Sequence, residues 1–299
     1  MKIKQLLRVV AILIILSVAL FIVLTPDAPS KNYYTNIHRP LVIAHQGGDG
    51  IWPGDTMFAY ENAVKIGADV LEMDAHITKD GQIVLMHDEK VDRTTDGTGL
   101  IENLTLDQLK QLDTAYQWSN DDGKTFPYRG QGIQVPTLDE LFQKFPQMRY
   151  VIEIKLTQNP IDKPLCDLIR KRNMQDQVVI ASFHDEAMQN FRATCPEVAT
   201  SASRGEVTTF VILGKVFLSG LVLPQYQSIQ PPYDPAESKN IPIMTQRFIR
   251  EAHAKNIAVE PWTVNDPELM KQYIEWGVDG IMTDRPDLMM QVLKEMGLR

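Results

Sequence analysis

Glu72 and Asp74 lie two residues apart in an apolar run that reads as a strand, so their side chains share one face, and His76 continues the row. Two carboxylates in one space repel unless a cation lies between them, and oxygen-rich sites of this kind suit Ca2+ or Mg2+. Glu153, in Val151-Ile152-Glu153-Ile154-Lys155, supplies a third carboxylate by the same parity, with Lys155 alongside. A Glu153–Lys155 ion pair within a structural network is the competing reading of that strand. His45 ends another apolar run, ahead of Gly47-Gly48-Asp49-Gly50, whose glycines let backbone amides approach an anion. Thr78-Lys79-Asp80-Gly81 is an Asp-Gly turn between two apolar runs, and the predicted hairpin returns His87-Asp88 toward Glu72 and Asp74. Two histidines beside a metal site can divide the proton work, one taking a proton from a nucleophile and the other giving one to a leaving oxygen.

The other histidines carry weaker signals. His184 and His253 read as structural, the latter lying inside a helical stretch away from any strand end, and His76 stays open between the two roles. Cys166 and Cys195 have neither CxxC spacing nor a histidine at ligand distance, which argues against a zinc site or a redox pair. Two buried thiols are the plain reading, with a disulfide also permitted.

These residues need a scaffold that gathers strand ends. Strands are predicted at residues 41–46, 70–76, 150–155, 178–183, 199–202, 228–229, 258–263 and 280–283, with amphipathic helices between them such as 56–67, 137–145, 246–255 and 267–276. Strand and helix alternation over eight units predicts an α/β fold, a (β/α)8 barrel of the TIM type, with chemistry at the C-terminal ends of the strands. Polar residues there include His45 and Gln46, Ser182 and His184, Trp262 and Asn265, and Thr283 and Asp284. The net charge of −8 argues against binding nucleic acid through its phosphates, and it accommodates a carboxylate metal site.

Lys2, Lys4 and Arg8 precede Val9–Leu24, which has only Ser17 as a polar member. Residues 1–24 are therefore expected to form an N-terminal transmembrane helix, and residues 25–39 a tether to a domain at 40–299. The positive-inside rule then predicts a single-pass membrane protein with a cytoplasmic N-terminus and an extracytoplasmic catalytic domain. A cleaved signal peptide, with Ser17-Val18-Ala19 as its best cleavage candidate, is the rival.

Taken together, His45-x-Gly47, Pro53-x-x-Thr56, Glu72-x-Asp74, Thr78-Lys79-Asp80-Gly81, His87-Asp88, Asp92-Arg93-Thr94-Thr95-x-Gly97, Pro136-Thr137-Leu138, Glu153-Ile154-Lys155, Trp262-Thr263-Val264-Asn265 and Gly277–Asp284 resemble the glycerophosphodiester phosphodiesterase family in order and spacing. The resemblance implies a barrel with a small insertion, here at about residues 89–135, after the hairpin. It implies Glu72, Asp74 and Glu153 as ligands of one divalent ion, His45 and His87 as acid and base, and Lys155 as the group that stabilises phosphoryl charge. Gln46 and Trp262 fall at substrate-binding positions. The implied substrates are glycerophosphodiesters, cleaved to sn-glycerol 3-phosphate and an alcohol, or lysophospholipids, cleaved to lysophosphatidic acid.

Two departures stand out. The family usually has His-Arg-Gly where this chain has His45-Gln46-Gly47, and Pro-Glu-Asn-Thr where it has Pro53-Gly54-Asp55-Thr56. One cation and one anion are absent together, which leaves local charge balanced if the two normally interact. They also motivate a competing reading, a barrel that binds phosphodiesters or a partner without turnover. A phospholipase C-like cut on the lipid side of phosphorus is a third. The apolar stretch at 210–224 either meets an acyl chain or bilayer surface, or packs on the barrel.

Overall fold

The computed structural model describes residues 2–35, 40–155, 159–238 and 240–299. Among these residues nine strands form: β1 (Leu41–Ala44), β2 (Val70–Ile77), β3 (Ile83–Leu85), β4 (Arg149–Ile154), β5 (Val178–Ala181), β6 (Ala199–Thr200), β7 (Ser228–Ile229), β8 (Ala258–Val259) and β9 (Gly280–Thr283). Ten helices accompany them: α1 (Lys2–Leu24), α2 (Met57–Ile66), α3 (Leu106–Leu109), α4 (Leu138–Lys144), α5 (Asp162–Lys171), α6 (Asp185–Thr194), α7 (Arg204–Lys215), α8 (Gln246–His253), α9 (Pro267–Trp276) and α10 (Pro286–Glu295). Their starts follow from capping residues. Thr56, Thr137, Ser203 and Asp266 each accept a backbone N–H of the first turn, and Gly67 and Gly277 end α2 and α9 in the left-handed conformation.

The expected closed eight-stranded ladder is corrected by the pairing. One sheet runs β6-β5-β4-β2-β1-β9 with β3 antiparallel on β2, and β7-β8 form a separate two-stranded sheet. The continuous parallel ladder therefore makes a half-barrel. Beyond it the strands meet through isolated contacts: a bridge between Ser201 and Ser228, and hydrogen bonds from Asp279 N to Val259 O and from Met282 N to Pro261 O. β6, β7 and β8 are two residues long, so each keeps a ladder with one neighbour only (β6 with β5, β7 with β8) and none continues from β6 to β7 or from β8 to β9, which is the physical reason for the difference.

The transmembrane expectation is also corrected. Among the described residues no helix is long and apolar enough to cross a membrane. The basic residues occupy the first two turns of α1, and Val9–Leu24 alone spans about 24 Å at 1.5 Å per residue, short of a hydrocarbon core of about 30 Å. The single-pass localisation built on that span falls with it. Residues 25–35 run along the barrel: Ala28 N donates to Lys255 O, and Lys255 Nζ donates to the carbonyls of Thr25 and Pro26. Residues 36–39 of the expected tether lie outside the described residues.

Period two along β2 divides its side chains between two environments. Met73, Ala75 and Ile77 join the main apolar core, which also holds Tyr60, Phe142, Leu165 and Phe191 from the helices. Glu72, Asp74 and His76 take the opposite face, with the smaller cluster that includes Ile43, Val70, Val151 and Met282. A third apolar cluster (Val84, Met86, Val91, Ile101, Leu109 and Val135) ties β3 to the insertion. A disulfide joins Cys166 on α5 to Cys195 at the end of α6, where two free thiols were the plain expectation. The two helices pack against each other, which brings the sulfurs together.

Candidate active site

Asp74 on β2 pairs in register with Glu153 on β4, so neighbouring parallel strands set these carboxylates side by side, and Glu72 follows one pleat below. One ligand oxygen from each of Glu72, Asp74 and Glu153 lies within 4.8 Å of the others. Lys155 Nζ sits 2.9 Å from Asp74 Oδ1 and 2.8 Å from Glu153 Oε1. The ion pair read as the alternative for this strand therefore exists, and it coexists with the three-carboxylate cluster.

The electrostatics show how closely the groups interact. Burial first, and then the neighbouring Asp74 against the opposing His45, pushes the Glu72 carboxyl up to about 8. Burial and Asp74 raise Glu153 against the pull of Lys155. Burial opposes charge on Lys155, yet Asp74 and Glu153 hold its ammonium above the ordinary lysine range. The donor set fits a hard divalent cation: oxygen ligands of Glu72, Asp74 and Glu153 converge in a largely buried, acidic cluster.

The turn after β1 builds the next part of the site. Gln46 adopts φ +50°, and Gly47 φ +78° with no room for a Cβ, which would come within 2.9 Å of Ala59 Cβ. This tight turn aims Gln46 N–H at Glu72 Oε2 (2.9 Å) and lets Gln46 Nε2 donate to Asp74 Oδ2 (2.9 Å). Gln46 thus braces the carboxylates from a buried position. The two positions that depart from the family pattern adjoin each other: a Cβ on Gly54 would lie 2.9 Å from Gln46 Oε1 and 2.7 Å from Asp49 Oδ1. Asp55 is buried behind them, accepting the Tyr60 hydroxyl at 2.7 Å, and burial together with Asp74 and Glu72 raises its carboxyl well above the usual range.

His45 and His87 both border one cavity of about 260 Å³, shared with Glu72, Asp74, Glu153 and Lys155. His45 Nδ1 lies 2.6 Å from Asp284 Oδ1, which directs Nε2 toward Glu72 at 3.9 Å. Burial works against charge on this imidazole, but Glu72, Asp284 and Asp74 prevail and carry it up to about 10. Asn265 fixes Asp284 in turn, donating from Nδ2 to Oδ2 at 2.7 Å and accepting Asp284 N–H at 2.9 Å. His87 Nδ1 lies 2.7 Å from Asp88 Oδ1, and hydrogen bonds from Arg93 above all, then from His87, hold Asp88 down to about 2. The hairpin brings His87 back as expected, with Ala75 facing Leu85 across β2 and β3. Trp262 also lines the cavity, its ring edge-on to Phe183 at 5.6 Å.

All eight candidate positions therefore converge, seven of them around the one cavity and Gln46 beneath it, against the carboxylates. His76 lies under the hairpin with Nε2 3.4 Å from His87 O, and His253 bonds Asp279 away from the cavity. The sequence reading gave no role to Asp284, Asn265, Asp88 or Arg93. The polar strand end Thr283-Asp284 and the pair His87-Asp88 were the available signals.

Comparison with known proteins places the chain in a family. The glycerophosphoryl diester phosphodiesterase family profile matches residues 45–288. A Bacillus subtilis glycerophosphodiester phosphodiesterase is 30% identical over 301 residues, covering 96% of this chain and 98% of the relative. A human lysophospholipase D is 28% identical, covering 82% of this chain and 83% of its own length. The structure of an Oleispira antarctica phosphodiesterase in complex with the product sn-glycerol-3-phosphate superposes with a TM-score of 0.65 at 23% identity, covering 85% of this chain and 97% of that one. With the family profile spanning residues 45–288 and a relative 30% identical over nearly the whole length, the chain belongs to the glycerophosphoryl diester phosphodiesterase family.

Proposed function

We propose that this chain hydrolyses glycerophosphodiesters to sn-glycerol 3-phosphate and an alcohol, with Glu72, Asp74 and Glu153 holding one divalent cation, Ca2+ or Mg2+. The observation that carries the reading is the convergence on one cavity of three carboxylates, Lys155, and two histidines each backed by an aspartate. When bound, the cation supplies positive charge to a phosphoryl oxygen.

The chain's own residues do the rest. The substrate's neighbouring glycerol hydroxyl attacks phosphorus, its O–P bond forming as the bond to the leaving alcohol breaks. Of His45 and His87, one takes the attacking hydroxyl's proton and the other delivers a proton to the leaving oxygen. The cyclic phosphate is then opened by water with the two roles reversed. Asp284 and Asp88 each hold an imidazole by Nδ1, leaving Nε2 for transfer. Lys155, tied to Asp74 and Glu153, meets charge developing on the phosphoryl oxygens. Gln46 braces the carboxylates, and Trp262 with Phe183 bounds the substrate.

Lysophospholipids are a second substrate class, favoured by the apolar residues that line the cavity, among them Phe183, Ala202 and Trp262. Free choline released from glycerophosphocholine and from lysophosphatidylcholine, each with Ca2+, Mg2+ or chelator, tests both. Metal-dependent release that His45→Ala abolishes supports the reading. Release that survives both chelation and His45→Ala contradicts it.

A further inference from the structure

The insertion after β3 has a structural relationship to His87 that the reaction so far does not use. Arg93 donates from Nε to Asp88 Oδ2 at 2.6 Å and from Nη2 to Asp88 Oδ1 at 3.1 Å, a two-pronged clamp on the carboxylate that holds His87 Nδ1. The pair is at the surface, Asp88 being 31% exposed and Arg93 56%. A two-pronged pair can add modestly to stability even at the surface, so a positioning role is told from a structural one by kcat read against the thermal midpoint.

Arg93 is itself held firmly from the other side. It ends the 3-10 turn Val91–Arg93, whose Val91 is fully buried. Val91 N donates to Gly99 O, Gly99 N donates to Asp92 Oδ2, and Ile101 N donates to Glu89 O. The same apolar cluster contains Met86, which precedes His87, and Val91, two residues before Arg93. One small core therefore anchors both ends of the His87–Asp88–Arg93 chain, while the His87 side chain itself is 45% exposed and has few other restraints.

We propose that Arg93 is a positioning residue for this chemistry, acting on His87 through Asp88, and that the insertion serves to present it. The inference rests on the proposed hydrolase reading. A guanidinium is suited to the task because its planar fork fixes the carboxylate plane, which a lysine's point charge cannot do.

The test uses the full chain with glycerophosphocholine and the supporting metal, comparing wild type, His87→Ala, Arg93→Gln, Arg93→Lys, Asp88→Asn and the double variant Asp88→Asn/Arg93→Gln. Arg93→Gln is expected to lower kcat by about 10- to 100-fold, the cost of a misplaced catalytic group, with KM and thermal midpoint nearly unchanged. Arg93→Lys should recover part of that loss. The double variant should be no slower than Asp88→Asn alone, because both changes act along one path. A wild-type kcat in Arg93→Gln overturns the inference. So does a raised KM with kcat preserved, the signature of direct substrate binding, or losses that multiply in the double variant. If Arg93→Gln does not fold, Arg93→Lys decides: an undiminished kcat there, with no loss for the missing fork, overturns the inference. A wild-type chain that is inactive overturns the hydrolase reading and the inference with it, whereas an active wild type with an unaffected Arg93→Gln overturns the inference alone.

Discussion

Gln46 Nε2 donates a 2.9 Å hydrogen bond to Asp74 Oδ2, so a neutral amide braces a carboxylate of the cluster at a position where the family usually carries arginine. Groups that orient metal-binding carboxylates commonly tune affinity by about 10- to 100-fold. Gln46→Ala should therefore weaken Ca2+ or Mg2+ binding by about that factor, read by calorimetric titration. An unchanged affinity would show that the brace has no effect on the ion.

Gly54 tolerates no side chain in this arrangement, because its Cβ would crowd Asp49 Oδ1 and Gln46 Oε1, and Asp49 Oδ1 is fixed by Gly54 N–H at 2.9 Å. Gly54→Ala should cost about 1–3 kcal/mol by overpacking. Gly54→Glu alone should cost more, because it also sets a carboxylate beside Asp49, and Gln46→Arg next to it should supply a counter-charge and recover part of the loss. Denaturant midpoints of the two single variants and the double measure the coupling, and additive effects would exclude it.

Asp284 fixes the tautomer and direction of His45, and Asn265 fixes Asp284. Asp284→Asn should lower kcat by about 100-fold or more, within the usual range for disabling general acid–base transfer, while metal affinity changes little. Steady-state kinetics beside a metal titration would separate this from a loss of the ion. A wild-type kcat in Asp284→Asn would remove Asp284 from the account.

In the metal-free protein, Glu72 rises from 4.5 to about 8, chiefly through burial, and His45 rises from 6.5 to about 10 on the charges of Glu72 and Asp284 despite burial. Both groups hold protons in the folded state that the unfolded chain would release. The stability they confer is complete below 4.5 for Glu72 and 6.5 for His45, and it is lost as pH climbs through about 8 and about 10. Metal-free protein should therefore melt at lower temperature at about pH 9 than at about pH 6, and a divalent cation should raise the midpoint more at the higher pH. A metal-free midpoint that rises over this range would contradict the assignment.

Cys166 and Cys195 are separated by 29 residues, and closing a loop of that length is worth about 3.5 kcal/mol by chain entropy. Cys195→Ala should lower stability by about that amount, and reductant should bring wild type to a similar midpoint. Equal denaturation curves with and without reductant would count against the bond.

The parts of the site that follow local rules were legible in the sequence. Parity along β2 put Glu72 and Asp74 on one face, and the Asp-Gly turn returned His87 to them. What the sequence hid was pairing across long separations: Asp284 reaches His45 from 239 residues away, and no periodicity links them. Arg93 was quoted within a motif, but its partner Asp88 is revealed only by the turn at Val91–Arg93. The positions of the eight parallel strands were legible too, whereas the shortness of β6, β7 and β8, and with it the half-barrel ladder, depends on tertiary twist. The apolar run at Val9–Leu24 resembled a membrane span in composition and fell short of one in length.

When the diester is cut, phosphorus should stay with glycerol. Glycerophosphocholine should be incubated with the metal-loaded full chain and the products followed by phosphorus NMR, with His87→Ala and chelated enzyme as controls. The expected products are sn-glycerol 3-phosphate and choline in equal amounts, absent from both controls; phosphocholine and glycerol, or no cleavage at all, would overturn the proposed cut.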